Sequence, residues 1–456
     1  MASDLLDDRI GRGNEVRGCV GRSLLCAQYQ KRGTMRHNRP QRKSRGRKQR
    51  RAVVIGGSVG GLFIANMLIR RGWDVDIFER VEGELASRGA GIARHHEMIA
   101  IMAAAGVDDN GELGIAVDGR TAFDKSGQII ARFDYQQHLT AWSQVYNQLQ
   151  AAFPRERYHL GEALVGIDSS GAAVVARSAN RAKIEADLIV GADGFRSTVR
   201  SLIAPETVPL YAGYVAWRGL MAETDLSDQF RSDTFSRFSF CFPLKSQFIG
   251  YPLLGPDDST QPGRRRYSFL WYYPVEDGDA LTDVLTDEDG RRFDYSIPPP
   301  LIRRSHIVRL QNMARELLPP RFAEVVMRAT QYMVQPIYDV ESKRIGFKNV
   351  ALLGDAAFVA RPHVGVGVLK AGQDALALAD ALSESASVAE GLARYEAIRL
   401  PCGREAVRLG RHLGAFIERR LPSPWADPSL HLTVESIIRV SARPVDQNTW
   451  KQGLHS

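Results

Sequence analysis

Ala52-Val-Val-Ile55, Gly56-Gly-Ser-Val-Gly-Gly61, Leu62-Phe-Ile-Ala-Asn-Met-Leu-Ile-Arg-Arg71, then Val75-Asp-Ile-Phe78 and Glu79: this stretch decides the fold. Four apolar residues in a row read as a buried strand. The glycine-rich run is a tight turn, and the text after it is helical, with Gly72 placed to end it. A second apolar strand then delivers an acid. Strand, glycine turn, helix, strand, acid is the dinucleotide fingerprint in its proper context. Gly56 makes the turn, position 58 lets the backbone approach a pyrophosphate, and Gly61 lets helix and strand pack closely. The helix N-terminus offers free N–H groups to the anion. Glu79 lies 23 residues after Gly56, where it can accept from ribose hydroxyls. Ser58 stands where the pattern has its second glycine; it is small, and its hydroxyl can donate to a phosphate.

Working outward, the chain has 456 residues, 44% hydrophobic and 25% charged. That length suggests two or three domains, and the composition is globular. Collagen-like, coiled-coil and disulfide-scaffold classes are excluded, and no apolar run is long enough for a membrane span. Four cysteines (Cys19, Cys26, Cys241, Cys402) lack metal-ligand or paired spacing, which fits a reducing, cytoplasmic location. No metal site is expected.

Residues 1–50 hold 14 Lys/Arg against 4 Asp/Glu, and the other 406 hold 46 against 48. The formal +8 therefore belongs to the tail, and the body gives no argument for nucleic acid. The tail, ending Arg42-Lys-Ser-Arg-Gly-Arg-Lys-Gln-Arg-Arg51, lacks an apolar core and is not a secretory signal. It reads as a disordered extension, with Met35 as an alternative initiator. A nucleic-acid or membrane-surface arm is the competing reading.

Two later blocks matter as much as the first. Residues 182–190 read as a strand, followed by Gly191-Ala-Asp193-Gly194-Phe-Arg-Ser197-Thr-Val-Arg200. Val350-Ala-Leu-Leu353 is another buried strand, followed by Gly354-Asp355, then Arg361-Pro362-His363-Val-Gly365-Val-Gly367, then a helix from about Leu369 to Leu382. Over about residues 52–420 these three blocks, in this order, resemble the group A flavin-dependent aromatic hydroxylases of the p-hydroxybenzoate hydroxylase type. Tyr211-Ala-Gly-Tyr-Val-Ala-Trp217-Arg218-Gly219 and Gly367-Val-Leu-Lys370-Ala-Gly-Gln-Asp374 resemble the 2,6-dihydroxypyridine 3-hydroxylase branch, and a urate hydroxylase-like relative shares some of this text.

The resemblance implies an α/β fold: a Rossmann-like, three-layer FAD-binding domain, a β-sheet substrate domain and C-terminal helices. Residues 51–208 and 346–420 would form the FAD domain, with 116–135 contributing to the substrate sheet of 209–345. Residues 421–456 read as an irregular tail. Gly56, Ser58 and Gly61 would surround the FAD pyrophosphate, with Glu79 and Arg80 at the adenosine ribose. Leu164 would meet the adenine, and Ala93 would lie along the cofactor. Asp193 and Gly194 would border the reductant's path. Asp355 would bond the ribityl chain and Pro362 would lie by the isoalloxazine. Gly365, Val366, Gly367, Val368 and Leu369 would place N–H groups and a helix N-terminus at the N1–O2 edge, where reduced flavin carries negative charge. Many family members carry an arginine where Trp142 stands here.

Residues 211–273 hold 15 of the 38 aromatics, in alternating runs such as Phe238, Phe240, Phe242 and Tyr267, Phe269, Trp271, Tyr273. Period-two alternation means strands with an aromatic face. Such a sheet could make a dry pocket for a flat ring, with Trp217, Phe240, Tyr251 and Trp271 as substrate contacts, though singly each also reads as sheet core. Arg218 is the candidate partner for an anionic ring oxygen. His363 is the candidate base for a ring hydroxyl. Lys370 reads as helix support.

The implied activity is NADH- or NADPH-driven hydroxylation of an electron-rich aromatic or N-heteroaromatic ring, with O2 activated at flavin C4a. The first choice of substrate is 2,6-dihydroxypyridine; urate-, salicylate- or hydroxynicotinate-like rings are alternatives. No second glycine fold for the reductant is visible. A flavin halogenase is disfavoured because Trp-x-Trp-x-Ile is absent. An NAD dehydrogenase and a non-catalytic flavoprotein remain as rivals. The partners expected are a small aromatic molecule and O2, with a homodimer left open.

Overall fold

The computed structural model describes residues 49–83, 85, 91–108, 114–180, 183–417 and 432–443. The basic stretch 1–48 lies outside the described residues, as do Gly89 and Ala90. The fold is mixed α/β, as expected.

Its first layer is a six-stranded sheet ordered Gly346–Phe347, Val350–Leu352, Leu188–Gly191, Arg51–Ile55, Asp74–Phe78, Tyr158–His159. All neighbours are parallel except the first pair. The central strands are apolar along their length because helices cover this sheet. The helix Val59–Ile69 is apolar nearly all round, since it is sandwiched between the sheet and a second long helix, Gly367–Ser383. The three blocks of sequence thus meet at adjacent strand ends, where Ile55, Gly191 and Leu352 lie side by side.

One expected strand is two. The stretch 182–190 breaks at Asp187: Ile184–Ala186 joins a small antiparallel sheet, and Leu188–Gly191 joins the parallel one. The Arg51 N–H donates to the Asp187 carboxylate at 2.8 Å, which fixes the chain at the crossing point.

The second large layer is an eight-stranded sheet, ordered Phe358–Val359, Gln331–Glu341, Leu210–Ala222, Arg266–Pro274, Gln247–Leu253, Phe238–Cys241, Arg120–Phe123, Ile129–Phe133. The last two strands come from within residues 116–135. One face of this sheet packs on the helices Arg304–Leu317 and Pro320–Arg328. The other faces the cavity described below.

Of the expected C-terminal helices, one begins at Val388, where the Ser387 hydroxyl accepts from the Glu390 N–H, and runs to Gly414. The C-terminal stretch expected to be irregular holds a helix, Val434–Val440, closed at its start by a reciprocal Thr433–Ser436 capping pair.

Candidate active site

A cavity of about 500 Å³ lies between the end of the parallel sheet and the inner face of the antiparallel one. The loop from Ala360 to Lys370 forms its floor; Arg218, Tyr251, Leu270 and Gln335 stand on the strands opposite.

At the dinucleotide end, Gly56 has φ +102, a left-handed turn that suits glycine. A Cβ on Gly61 would overlap the Gly56 carbonyl oxygen. Ser58 caps the first helix without a side-chain bond to it, so its hydroxyl and the helix N–H groups stay open to a ligand. The Glu79 carboxylate accepts from the Gly57 N–H at 2.8 Å and the Val81 N–H at 3.0 Å. It thereby shapes the glycine turn, and its remaining lone pairs are available for a hydroxyl. Tyr158 Oη donates to the Gly57 carbonyl at 2.7 Å, a contact without a sequence signal. Arg80 is exposed and Leu164 is buried at the start of its strand.

The Asp193 carboxylate accepts from Ser197 Oγ at 2.5 Å and from the Val199 N–H at 3.1 Å. It serves the helix Thr198–Ile203 rather than a ligand, although burial raises its pKa. Gly194 follows with φ +74 and open space beside it. Arg200, which the motif reading passed over, donates to the carbonyls of Phe195 at 2.6 Å and Ala356 at 3.0 Å. It ties the second block to the third.

The third block builds the cavity floor. Asp355 is open to the cavity and enclosed by protein elsewhere; that enclosure raises its carboxyl, and Lys370 opposes the rise. Asp374 holds the turn before it, accepting from the Gly354 N–H at 3.2 Å, from Arg399 Nε at 2.6 Å and from Lys370 Nζ at 3.5 Å. Lys370 therefore supports the helix, as its position suggested. Pro362 and Gly365 to Leu369 line the cavity. The helix's first main-chain bond runs from Lys370 to Val366, and no side chain caps it. The N–H groups of Gly367, Val368 and Leu369 thus precede the ladder, at the positive end of a 17-residue helix. An anionic flavin edge fits that end. With the open glycine turn and Asp355, the donor set suits FAD along its whole length. Ala93 lines the same cavity.

His363 is in the wall, but its ring is fully engaged. Nδ1 lies 2.9 Å from Gln247 Oε1 and Nε2 2.9 Å from Tyr214 Oη, and the ring sits 4.0 Å from that of Tyr272. Burial pushes its pKa well below the usual histidine value, so it is a neutral ring. No ring nitrogen is left for a substrate hydroxyl, and the expected base role gives way to a positioning one.

Arg218 is half-buried in the cavity wall. No ion pair or hydrogen bond holds it among the described residues, and its Nε is buried without a partner. The hydroxyl of Tyr272 is likewise buried and unpartnered. Burial raises that phenol's pKa, and the charge of Arg218 offsets part of the rise. Arg218 lines the cavity, and Tyr272 lies behind the lining in the same core.

Of the aromatic candidates, Tyr251 lines the cavity, and Phe240 lies behind it in the same core. Trp217 and Trp271 do not reach it. They pair across neighbouring strands and point to the opposite face, into the core under the two helices. Trp271 Nε1 donates to Ser246 Oγ there at 3.2 Å. Trp271→Phe is accordingly expected to lower stability by about 1–2 kcal/mol through the lost bond and volume. Thermal melting and steady-state kinetics check it: Tm falls and KM for the ring substrate stays put. Trp142 heads its helix stacked on Tyr146, 5.0 Å between rings, and supplies no cation. No cluster of metal-ligating side chains occurs among the described residues. No helix among them is long and apolar enough to cross a membrane.

Comparison with known proteins agrees with this geometry. A family model described as FAD binding domain-like matches residues 211–339. The chain is 30% identical over 355 residues to a 2,6-dihydroxypyridine 3-monooxygenase of Paenarthrobacter nicotinovorans, covering 77% of this chain and 88% of that one. It is 26% identical to a 6-methylsalicylate 1-monooxygenase of Aspergillus terreus, covering 79% and 81%. The solved 2,6-dihydroxypyridine-3-hydroxylase of Arthrobacter nicotinovorans superposes with a TM-score of 0.76 at 27% identity, over 83% of this chain and 96% of that one. The chain belongs to the FAD-dependent aromatic-ring monooxygenases.

Proposed function

We propose that the protein hydroxylates a hydroxyl-bearing, electron-rich N-heteroaromatic ring, with 2,6-dihydroxypyridine, giving 2,3,6-trihydroxypyridine, as its substrate. The guanidinium of Arg218, which lines the cavity with no ion pair or hydrogen bond among the described residues, carries this reading. A ring oxygen bearing negative charge would pair with that guanidinium, and ionisation is what activates such a ring toward an electrophilic oxygen. The likeness to the 30% identical 2,6-dihydroxypyridine 3-monooxygenase supports the choice of ring.

FAD, when bound, supplies the electrons drawn from NADH or NADPH and the activated oxygen. The chain's own residues do the rest. The glycine turn, Ser58 and the first helix N-terminus would hold the pyrophosphate. Glu79 and Arg80 would lie at the ribose and Leu164 at the adenine. Asp355 would take the ribityl hydroxyls. The N–H groups of Gly367 to Leu369 would hold the anionic edge of the ring system. Gly194 and the loop behind it would border the reductant's approach. Arg218 orients the substrate oxygen, and Tyr251, Phe238, Ile249 and Leu270 exclude water from the plane between the two rings. The neutral His363 keeps Tyr214, Gln247 and Tyr272 in place without placing a second charge near Arg218.

The test is NADH oxidation by the purified protein in air, with and without 2,6-dihydroxypyridine, with hydroxylated product and H2O2 both measured. The expected result is strong stimulation with product matching NADH consumed. Stimulation that yields mostly H2O2 would mean a ring that fits without being the substrate. No stimulation in a yellow protein would discard the pyridine assignment.

A further inference from the structure

Arg120 opens one of the last two strands of the antiparallel sheet and is 1% exposed. No carboxylate pairs with it among the described residues. Its guanidinium instead donates to three main-chain carbonyls of one distant segment: Ile438 at 2.8 Å, Ser441, and Ala442 at 3.1 Å. It also donates to Gln137 Oε1 at 3.0 Å, and Gln137 Nε2 returns to the Ala442 carbonyl at 2.9 Å. Its Nε has no hydrogen-bond partner, and the rings of Tyr135 and Phe238 lie 4.8 and 5.6 Å from the guanidinium, but all three of its main-chain partners sit at the carbonyl end of one short helix, which makes it a clamp on that helix.

What it clamps is a wall of the cavity. Ser441 and Ala442 line it, and Ile438 and Ala442 share a core with Phe238, Tyr251 and Leu270. The Ala442 N–H donates to the His363 carbonyl at 3.2 Å, which joins the segment to the floor loop. Its Cβ sits so close to Gly365 that a Cβ there would come within 2.6 Å of it. Ala442 also holds φ +49, a conformation a non-glycine residue keeps only when its surroundings impose it. The surroundings here are the bonds from Arg120, Gln137 and His363.

We propose that Arg120 is a positioning residue that clamps residues 434–442 over the flavin loop, and that this segment is the wall that keeps solvent from the flavin side of the cavity. The inference rests on the FAD placement above and is independent of which ring the enzyme takes.

The test uses the FAD-loaded full-length protein, with FAD content measured first; a wild type that holds no FAD would sink the placement rather than the clamp. Iodide quenching of the bound flavin's fluorescence reads solvent access, and hydrogen–deuterium exchange reads the segment. In Arg120→Met, and independently in Ala442→Val, the quenching constant is expected to rise about twofold or more, and exchange in 434–442 to quicken about tenfold while the parallel sheet stays protected. Ala442→Gly, which relieves the backbone, should match the wild type. Wild-type quenching in a folded, FAD-loaded Arg120→Met or Ala442→Val overturns the inference. So does exchange that rises across the whole chain. Should Arg120→Met fail to retain FAD, Ala442→Val decides alone.

Discussion

Gly61→Ala is expected to yield a colourless protein, while Gly60→Ala, one residue away, stays yellow. A Cβ at position 61 points at the Gly56 carbonyl oxygen, which is backbone and cannot step aside. The helix and the glycine turn must separate, and the N–H groups that face the pyrophosphate move with them. Overpacking of this kind costs on the order of 3 kcal/mol, and the same displacement weakens FAD binding on the order of 100-fold or more. A Cβ at position 60 meets Leu353 Cδ2 at 3.3 Å, the tip of a side chain that can turn, and Ala371 Cβ at 3.6 Å, an ordinary van der Waals contact. Alanine there also gains helix propensity. Both substitutions add one methyl group to one helix turn, so the pair separates close approach from any general intolerance of the helix. FAD content from the visible spectrum, with Tm for the apoprotein, checks it. An FAD-loaded Gly61→Ala would mean the turn is not where the pyrophosphate lies.

The same contrast explains what the sequence made legible. The turn, the Asp355 loop and the uncapped helix at Gly367 depend on chemistry within a few residues of each other, and each reads off the text. The face of a strand does not. Alternation correctly marked Tyr267, Phe269 and Trp271 as one side of their strand, but it cannot say which side meets the cavity. The register settles that: Trp217 opposes Trp271 and Arg218 opposes Leu270, so the tryptophans share one face and Arg218 and Leu270 the other. The clue lay further on, in the apolar stripes of Arg304–Leu317 and Pro320–Arg328, which need an aromatic face to cover. His363 was placed in the right loop, yet its role turned on Tyr214 and Gln247, residues more than a hundred positions away. Arg120 was beyond reach for the same reason. Its main-chain partners are carbonyls over 300 residues distant, and carbonyls carry no sequence signal.

Arg218→Ala tests the substrate side of the site. Among the described residues Arg218 makes no ion pair, and its buried Nε has no partner, so its removal is expected to leave the scaffold and the FAD content intact. A hydrogen bond to a charged group contributes about 1.5–3 kcal/mol, which translates to a KM for the ring substrate raised on the order of 10- to 100-fold. Arg218→Lys keeps the charge and loses the planar fork that reaches two acceptors, so it should recover only part of the loss. The kcat response then sorts the role. If the guanidinium only anchors the ring, kcat holds and KM rises. If it also fixes the ring oxygen in its ionised form, kcat falls as well, and raising the pH restores it, because solvent then ionises the hydroxyl that Arg218 had favoured. Steady-state kinetics across pH, on a variant shown to be FAD-loaded, reads both. An unchanged KM at every pH would take Arg218 out of the pocket.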